Sequence, residues 1–576
     1  LRLEQGLPAA AIPDVVDLYA GWSGGMLGQD PLTPFVTRAV YRWLTELETA
    51  RHPDNLHERR EPFGGGLEYE QLRALEPNLR TGFLMFCHKT PELAVEYLES
   101  LKSRRHGERI AEGLLKVRGS LAQAAPAQLA ELTANALIPK PRSRDQHRTL
   151  DLDGPFDYLD HKFLPASPAQ GPFFELLLHA PQHGLALIHR LVNHAISFKT
   201  GGRNPEGDAI TISLSSGDRG FPWKRSYAWS RDGQGHYSVT SALMALEAWA
   251  HKRIEAGDAF DTVLADVLGP PNSPAAFLLV AVDLLLSHWP KSREAAVPFV
   301  ACPELLCIDQ ERHQLDNFEY PDLLGLPPPN EPAGLARVED LKKRASRRVT
   351  LGRLLDHYAV FGPAELREKL EGLLRIAVTR LGPYDGKANL GNPAFMAAHA
   401  LNRVDPANYP ESTETLPDGT QRTGCRYESP SAEREHFAAL ATAAEDGTTN
   451  ITMQMALGNA LDDPARSSSD LASAGAQWAR GPGAIPDKKG KDEEWMREQA
   501  VMAAAMIVMR DGDAEVRAKH GDWARGIFAQ ALLTKDDPVH RVRGGLRFNP
   551  IAIAFAGMIY ALKDRGSPAD VRALLE

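Results

Sequence analysis

Apolar residues recur through most of the chain at the spacing of buried α-helices. Within residues 239–254, one apolar stripe follows the helical period of i, i+4, i+7 and i+11. It contains Val239, Leu243, Leu246 and Ala250. Met244 and Trp249 lie off this stripe, and a helix that is apolar on two sides must be buried between neighbours. The pattern therefore predicts layers of packed helices.

Two uninterrupted or nearly uninterrupted apolar runs, 274–286 and 551–562, raise the question of a membrane span. Both are shorter than the roughly 20 residues that a helix needs to cross a bilayer, and Asp283 interrupts the first. We therefore predict a buried helix at each place and no membrane-spanning segment.

Three predicted helices begin with a polar residue that is followed by proline. These pairs are Ser273-Pro274, Asn392-Pro393 and Asn549-Pro550. The polar side chain can accept hydrogen bonds from free N–H groups of the first turn, and proline lacks the N–H that would have no partner there. Each pair predicts a helix N-terminus.

A second pattern occurs three times: an apolar helix end, a histidine, a proline within three residues, and then an amphipathic helix. The pairs are His88 with Pro91, His179 with Pro181, and His288 with Pro290. Their separation is too long for one simple repeat unit, but it suits two or three helical hairpins per period with irregular inserts. The pattern predicts a degenerate α-helical repeat array.

Residues 208–239 break the helical pattern. Two sets of residues alternate with small or polar neighbours, as in β-strands, and glycine, aspartate and proline between the sets supply a turn. The first set is Ile210, Ile212 and Leu214, and the second is Arg225, Tyr227 and Trp229. We predict a small antiparallel hairpin or meander, inserted into a mainly α, irregular superhelical array.

Polar stretches rich in proline, glycine, serine and aspartate divide the chain. They span residues 309–335, 405–432 and 463–493, and such composition is typical of loops. We predict a helical array with the hairpin insert over 1–330, a helical linker segment over 331–410, and a C-terminal helical region with long polar loops over 411–576.

Composition limits the class of protein. The 576 residues are 43% hydrophobic with a net charge of −10, so large cores can form, and a chain built as a whole to coat nucleic acid or an anionic membrane is disfavoured. The four cysteines, without a C-x-x-C pair, favour buried thiols in a reducing, cytoplasmic compartment. They are Cys87, Cys302, Cys307 and Cys425. Because the chain starts LRLEQGLPAA, without methionine or a signal peptide, we expect a piece of a longer protein.

Four histidines lie close together in the sequence between residues 179 and 194. They are His179, His183, His189 and His194. On one helix His183 and His189 point about 240° apart, and His183 and His194 share a face but lie roughly 16 Å apart. Ligands of one zinc ion must converge within about 4 Å. We therefore expect core or surface histidines at helix ends.

Other catalytic and binding signatures are missing or incomplete. The chain has no G-x-x-x-x-G-K-[ST] loop and no G-x-S-x-G elbow. An acidic stretch lacks the EF-hand spacing, so we interpret it as helix capping and loop. It contains Asp151, Asp153, Asp157, Asp160 and His161. We predict no catalytic residue, no metal and no cofactor.

The segment after the predicted hairpin turn is the candidate binding surface, because it combines basic and aromatic groups. These are Lys224, Arg225, Tyr227, Trp229, Arg231, His236 and Tyr237. Such residues can anchor a protein interface or stack on bases, but packing of the aromatic groups onto adjacent helices is the preferred interpretation. The basic run 342–348 could meet phosphate or an acidic partner, although a solvated helix face is the commoner role.

The helix–His–Pro–helix recurrences and the Asn-Pro helix starts resemble HEAT-type and tetratricopeptide-type superhelical arrays, without the tetratricopeptide W-x-x-L-G signature. Such arrays are also similar to the helical sensor portions of bacterial STAND-type signalling ATPases, which would suit a fragment that lacks its own P-loop. The resemblance implies stacked helix pairs with a concave surface for partners and assigns no functional residue.

We expect a non-catalytic helical scaffold, or a region that senses a ligand or a protein partner. One alternative is an α/α-barrel enzyme acting on a carbohydrate or another small substrate, with its carboxylates sought first in 318–322 and 382–393. Another is a nucleic-acid-associated factor that uses Arg225, Trp229 and the 342–348 run.

Overall fold

The computed structural model of the protein contains two compact units, Leu1–Pro430 and Ser431–Glu576. It describes residues 7–22, 30–51, 61–103, 119–139, 154–203, 208–231, 236–316, 331, 335–415, 421–481, 492–533 and 549–565. Asp151, Asp153 and residues 318–322 of the sequence analysis lie outside this part of the chain. The divisions predicted near 330 and 410 both lie inside the first unit.

The first unit consists mainly of α-helices. Its first half contains α1 (Ile12–Trp22), α2 (Thr33–Arg51), α3 (Tyr69–Phe86), α4 (Pro91–Ser103), α5 (Ser120–Ala124), α6 (Pro126–Leu137), α7 (Phe173–His179) and α8 (Pro181–Thr200). Its second half contains α9 (Tyr237–Glu255), α10 (Phe260–Leu268), α11 (Ala276–Ser287), α12 (Arg293–Val300), α13 (Pro303–Asp316), α14 (Val338–Lys342), α15 (Arg353–Phe361), α16 (Ala364–Leu381) and α17 (Pro393–Val404). The prediction of a mainly α fold is confirmed.

Two antiparallel hairpins interrupt these helices. The first pairs β1 (Ile210–Leu214) with β2 (Gly217–Phe221), which confirms a small antiparallel hairpin within 208–239, although its second strand occupies the residues predicted as the turn. The chain then forms a 3₁₀ helix over Lys224–Ser230, so the prediction of a strand through residues 225–229 is wrong. The second hairpin lies in a stretch that the composition predicts to be a loop. It pairs β3 (Glu411–Thr415) with β4 (Gln421–Cys425).

Each recurring His–Pro pair lies at a junction between two helices. A 3₁₀ helix over Cys87–Lys89 joins α3 to α4, which begins at Pro91. Helix α7 ends at His179 and α8 begins at Pro181. His288 directly follows α11, and α12 begins at Arg293. The prediction of two helices joined at these positions is confirmed in all three cases.

Two of the three predicted helix starts have the expected cap. The Asn392 side chain accepts from the N–H groups of Ala394 and Phe395 at 3.0 and 3.1 Å. Asn549 accepts from the third residue after it at 3.1 Å. Ser273 is not a cap, because its hydroxyl donates to the carbonyl of Pro270 at 2.7 Å, and α11 starts three residues later at Ala276.

Helix α11 lies in the middle of the first unit's core. Every residue from Ala276 to Leu286 is buried, Asp283 included. The helix packs against α9, α10, α12 and the 3₁₀ helix Lys224–Ser230. Three of the four cysteine thiols are buried as predicted, while Cys425 is exposed on β4.

In the described residues of the second unit there are five α-helices, one of which packs against the other four. They are α18 (Ser431–Asp462), α19 (Ser469–Arg480), α20 (Asp492–Asp511), α21 (Ala514–Leu532) and α22 (Pro550–Arg565). Helix α20 packs against each of the other four. The sequence predicts that α22 is buried, but only one side of it is, because Phe555 and Ile559 are 49% and 42% exposed.

Among the described residues, no helix combines the length and the apolar character needed to cross a membrane. The apolar runs at 274–286 and 551–562 both form helices that contribute to a protein core, as predicted, although α22 is buried on one side only.

Candidate functional site

A group of buried charged side chains surrounds the end of the 3₁₀ helix Lys224–Ser230. We define the charge cluster as Arg231, Glu247, Asp283, Asp309, Arg312, Asp316 and Arg347. Their side chains are at most 10% exposed. Arg231 directly follows the 3₁₀ helix Lys224–Ser230, and the others come from α9, α11, α13 and a 3₁₀ helix over Ala345–Arg347, so the charge cluster joins elements that are distant in sequence.

Asp283 of α11 receives two guanidinium groups. Arg231 donates to both of its carboxylate oxygens, at 2.8 and 3.1 Å, which is the bidentate geometry of strong arginine–carboxylate pairs. Arg347 also donates to Asp283, at 3.0 Å, through the same Oδ1 that accepts from Nη2 of Arg231. Burial opposes ionisation of Asp283, but the two guanidinium groups outweigh it and hold its pKa well below the usual range.

Arg312 is the fully buried cation of α13. It donates to Asp309 at 2.8 Å, to Asp316 at 2.7 Å and to the carbonyl oxygen of Ser346 at 2.6 Å. The hydroxyl of Tyr227 donates to the same Asp309 at 2.8 Å, and burial together with this carboxylate raises the pKa of Tyr227 well above its ordinary value. The Nε of Arg231 donates to Asp316 at 2.6 Å, which links this part of the charge cluster to Asp283.

Glu247 of α9 forms the outer end of the charge cluster. Its Oε2 accepts from Arg347 at 2.7 Å, and Arg231 lies 3.9 Å away. Its Oε1 faces the Nε2 of His251 at 3.7 Å. His251 in turn shares a hydrogen bond with His288, with 2.9 Å between Nδ1 and Nε2. A chain of carboxylate, imidazole and imidazole therefore leads from the charge cluster to the end of α11.

The seven residues predicted as a binding surface lie in different surroundings. Tyr227, Trp229 and Arg231 are buried, at 3%, 2% and 6% exposure. Lys224 and Arg225 are exposed. His236 and Tyr237 are half-buried at the start of α9. The structure thus brings Tyr227 and Arg231 together in the charge cluster and leaves Lys224 and Arg225 on the surface.

The indole ring of Trp229 packs in the interior of the first unit, among an aromatic and a basic side chain. Trp223 meets it edge-on with 5.0 Å between ring centroids, and the Nζ of Lys199 lies 5.0 Å from its ring centroid. These contacts agree with the preferred interpretation, in which the aromatic groups pack the segment onto adjacent helices.

The basic run 342–348 is divided between surface and interior. Lys342 pairs with Glu339 at 3.6 Å on the surface, and Arg344 pairs with Glu255 at 2.5 Å. Arg347 belongs to the charge cluster, so the expectation of a solvated helix face is wrong for it. The reason is the buried pair of carboxylates, Asp283 and Glu247, that needs its guanidinium group.

The histidines of 179–194 contact separate partners, as the helical geometry predicts. His179 lies 3.3 Å from the side chain of Gln123. His189 stacks on Phe277 with 4.0 Å between ring centroids. His194 lies 2.7 Å from the carbonyl oxygen of Pro155. Within the described ranges, no three histidine, cysteine, aspartate or glutamate side chains are placed to hold a metal ion.

The acidic stretch contributes one helix cap. Asp160 accepts from the backbone N–H of Ser238 at 2.8 Å, in the first turn of α9. This confirms the capping interpretation for Asp160.

The carboxylates of the charge cluster are not among the site residues predicted from the sequence. The available signal was their context, because Asp283 interrupts an apolar run and Glu247 lies among the buried residues of α9. A single acidic residue within an otherwise apolar helix indicates a buried cation nearby, since buried charges are nearly always paired. The sequence does not indicate which of its 65 lysines and arginines supply that cation.

The fold and the site define a mainly α-helical protein with small β-hairpins, whose first unit is joined internally by buried ion pairs. No protein-family model matches the chain, and no curated protein matches it either.

Proposed function

We propose that the first unit is a non-catalytic helical scaffold that presents a rigid surface to a protein partner in the cytoplasm. The charge cluster is the observation that carries this proposal. Its buried arginines and carboxylates join α9, α11 and α13 to the segment around Arg347. Ion pairs of this kind fix the mutual positions of the elements that carry them.

The state of these groups suits a structural role better than a catalytic one. A catalytic acid or base needs contact with substrate and a pKa near the working pH. Asp283 is fully buried, engaged by two guanidinium groups and held ionised with a lowered pKa. Asp309 is likewise fully buried and occupied by Arg312 and Tyr227.

In this proposal, Lys224 and Arg225 form the surface that contacts the partner, which we call the basic corner. They are exposed on the same 3₁₀ helix that buries Tyr227 and Trp229, so their backbone is held in place from beneath. Lys224 already pairs with Asp208 at 3.2 Å, which leaves Arg225 as the more available cation. A rigid basic corner suits an acidic protein surface, because charge complementarity steers association and fixes its orientation.

The helix junctions at the His–Pro pairs support the further proposal of a HEAT-like or tetratricopeptide-like repeat array. In such an array the stacked helix pairs would provide the concave side of the partner surface. A sensor region of a bacterial STAND-type signalling protein is one setting in which this architecture would act.

A photo-crosslinking residue at position 224 of the full chain tests the proposal in cells that contain the protein's natural neighbours. We expect one crosslinked product that is lost in Arg225→Glu but retained in the control charge reversal Lys369→Glu. Lys369 is an exposed lysine of α16. Thermal midpoints of both variants should equal that of the parent chain.

Two outcomes would contradict the proposal. Crosslinks that persist unchanged in Arg225→Glu would show that this exposed arginine does not select the partner. A product that contains nucleic acid instead of protein, and that weakens steeply with added salt, would favour the nucleic-acid alternative.

A further inference from the structure

The charge cluster is not balanced by its own residues. It contains three guanidinium groups, from Arg231, Arg312 and Arg347, and four carboxylates. One buried negative charge therefore has no arginine of its own. Because an uncompensated buried charge is strongly unfavourable, a group beside it is expected to bind a proton.

The imbalance is located at Glu247. Its Oε2 is bound by Arg347, but its Oε1 is buried without a hydrogen-bond partner among the described residues. The Nε2 of His251 is likewise buried without a hydrogen-bond partner among the described residues, and the two atoms face each other at 3.7 Å. Glu247 is fully buried and His251 is 1% exposed, so solvent does not supply the missing partner.

The second imidazole limits how many protons this pair can hold. His251 Nδ1 and His288 Nε2 lie 2.9 Å apart, and only one of these two nitrogens can donate in their shared hydrogen bond. Four ring nitrogens can therefore carry at most three protons without placing two N–H groups against each other. The pair accommodates one positive charge and excludes a second.

The surroundings place that charge on His251 and not on His288. Lys291 and Arg344 approach His288, with Glu255 as the nearby carboxylate. Burial, the neighbouring His251 and Arg344 lower the pKa of His288 to about 4. From α10 the apolar ring of Phe260 lies 6.4 Å from His288 between ring centroids. His251, by contrast, has Glu247 on its far side.

We propose that His251 is the fourth cation of the charge cluster: it binds one proton, and His288 serves as the neutral acceptor that orients it. In the neutral pair, His288 Nε2–H donates to His251 Nδ1, and His251 Nε2–H points at Glu247. A proton that arrives at His288 Nδ1 shifts the shared proton from His288 Nε2 to His251 Nδ1. His251 becomes an imidazolium that donates at both nitrogens, and His288 stays neutral with its other tautomer.

This exchange makes the outer end of the charge cluster sensitive to pH. His288 is partly exposed while His251 is buried, so the proton reaches the interior through His288. Once charged, His251 neutralises Glu247, and the 3.7 Å separation can close to a charge-assisted hydrogen bond. The junction between α9 and the end of α11 is then tighter in mild acid than at alkaline pH.

Nitrogen NMR of the full chain labelled with ¹⁵N-histidine tests this proposal directly. Resonances are assigned with His251→Asn and His288→Asn, and spectra are recorded from about pH 8 to pH 5, the range in which histidine side chains change charge. We expect His251 to become an imidazolium, while His288 changes from the Nε2–H to the Nδ1–H tautomer without gaining charge. In Glu247→Gln the midpoint of His251 should fall by about one pH unit or more, whereas Glu368→Gln, an exposed glutamate of α16, should leave it unchanged.

The proposal is overturned if His288 becomes charged before His251, if neither imidazole gains a proton by pH 5, or if Glu247→Gln leaves the His251 midpoint in place. Circular dichroism establishes that each variant is folded. Should Glu247→Gln fail to fold, the histidine tautomers of the unmodified chain still test the proposal, because it requires the His288 tautomer to change as His251 gains its charge.

Discussion

Two helices of this protein are buried on nearly every side, α11 in the first unit and α20 in the second, and their neighbours are held in different ways. The buried part of α11 combines large aliphatic side chains with one ionised group, Asp283. The buried stretch Ala500–Met509 of α20 consists of alanine, methionine, valine and isoleucine and carries no charge. One core therefore depends on directed ion pairs and the other on the fit of shapes.

The difference has a physical consequence. Asp283 accepts partners only at the positions of its carboxylate oxygens, so Arg231 and Arg347 fix the register of the segments that carry them. Around α20, small residues allow close approach instead. A Cβ atom added at Gly475 of α19 would lie 2.6 Å from a methyl group of Leu457 and 3.5 Å from the Cβ of Ala504. The first core is specified by charge and the second by volume.

The largest effect is expected from removing a cation of the first core. Arg312→Met leaves two buried carboxylates, Asp309 and Asp316, without their main partner, and breaking a buried pair in this way costs about 3–5 kcal/mol. Hydrogen exchange at peptides of α11 and α13, read by mass spectrometry, should show this loss. Arg375→Met is the matched control, because Arg375 is 68% exposed and its pair is expected to contribute at most about 1 kcal/mol. Equal effects of the two substitutions would contradict the role given to the charge cluster.

Trp229→Ala should also destabilise the first unit, by roughly 3–5 kcal/mol, since it removes a large buried ring. Arg225→Ala, four residues earlier and exposed, should change the free energy of unfolding by less than about 0.5 kcal/mol. Urea unfolding of each single variant, followed by hydrogen exchange in α9 and α11, separates the two. If Trp229→Ala left stability unchanged, its side chain would have to act at the surface.

The second core should be broken by added volume. In Gly557→Ala, the new methyl group would lie 2.2 Å from the ring of Phe528, so α21 and α22 must shift, at a cost of about 1–3 kcal/mol. Gly526→Ala is the control in the same unit, since nothing lies within 4 Å of its Cβ position, and helix propensity there should add about 0.5–1 kcal/mol. Thermal unfolding of the two variants should therefore shift in opposite directions. Shifts in the same direction would argue against close packing of α21 and α22.

A smaller effect, confined to the first core, is expected from pH. His288 has a lowered folded-state pKa of about 4, so between about pH 6.5 and 4 the unfolded chain binds a proton there that the folded chain does not. The contribution of His288 alone, which is separate from the stabilising proton proposed for His251, is complete above about pH 6.5 and is lost progressively as the pH falls to about 4. In His288→Asn the urea midpoint reported by α11 should depend less on pH over this window. An unchanged pH dependence would exclude His288 as its source.

Local sequence patterns predicted the parts of this fold that are determined locally. The His–Pro junctions and the caps at Asn392 and Asn549 depend on neighbours within a few residues, and the structure confirms them. The alternation of Arg225, Tyr227 and Trp229 was misleading, because in the 3₁₀ helix Ser226 and Ser230 are buried together with Tyr227 and Trp229, so burial does not alternate along the segment.

The sequence indicates some of the carboxylates of the charge cluster but not the arginines that pair with them. Asp283 and Glu247 stand out in the sequence as acids within apolar helices, but their partner Arg347 is 64 and 100 residues away from them. In the sequence Arg347 belongs to a run of basic residues that favours a solvated surface. Which arginine enters a core is decided by tertiary packing, and a hydrophobic pattern carries no information about it.

The positions of the charge cluster along the chain also order events at the ribosome. Arg231 is synthesised 52 residues before Asp283, so the first bidentate pair can form as soon as α11 emerges. Arg347 follows 64 residues after Asp283, a delay of roughly 3–13 s at the usual 5–20 residues per second. During this interval Glu247 lacks its arginine, and the nascent unit is expected to expose the region around Glu247 to chaperones until Arg347 has been synthesised.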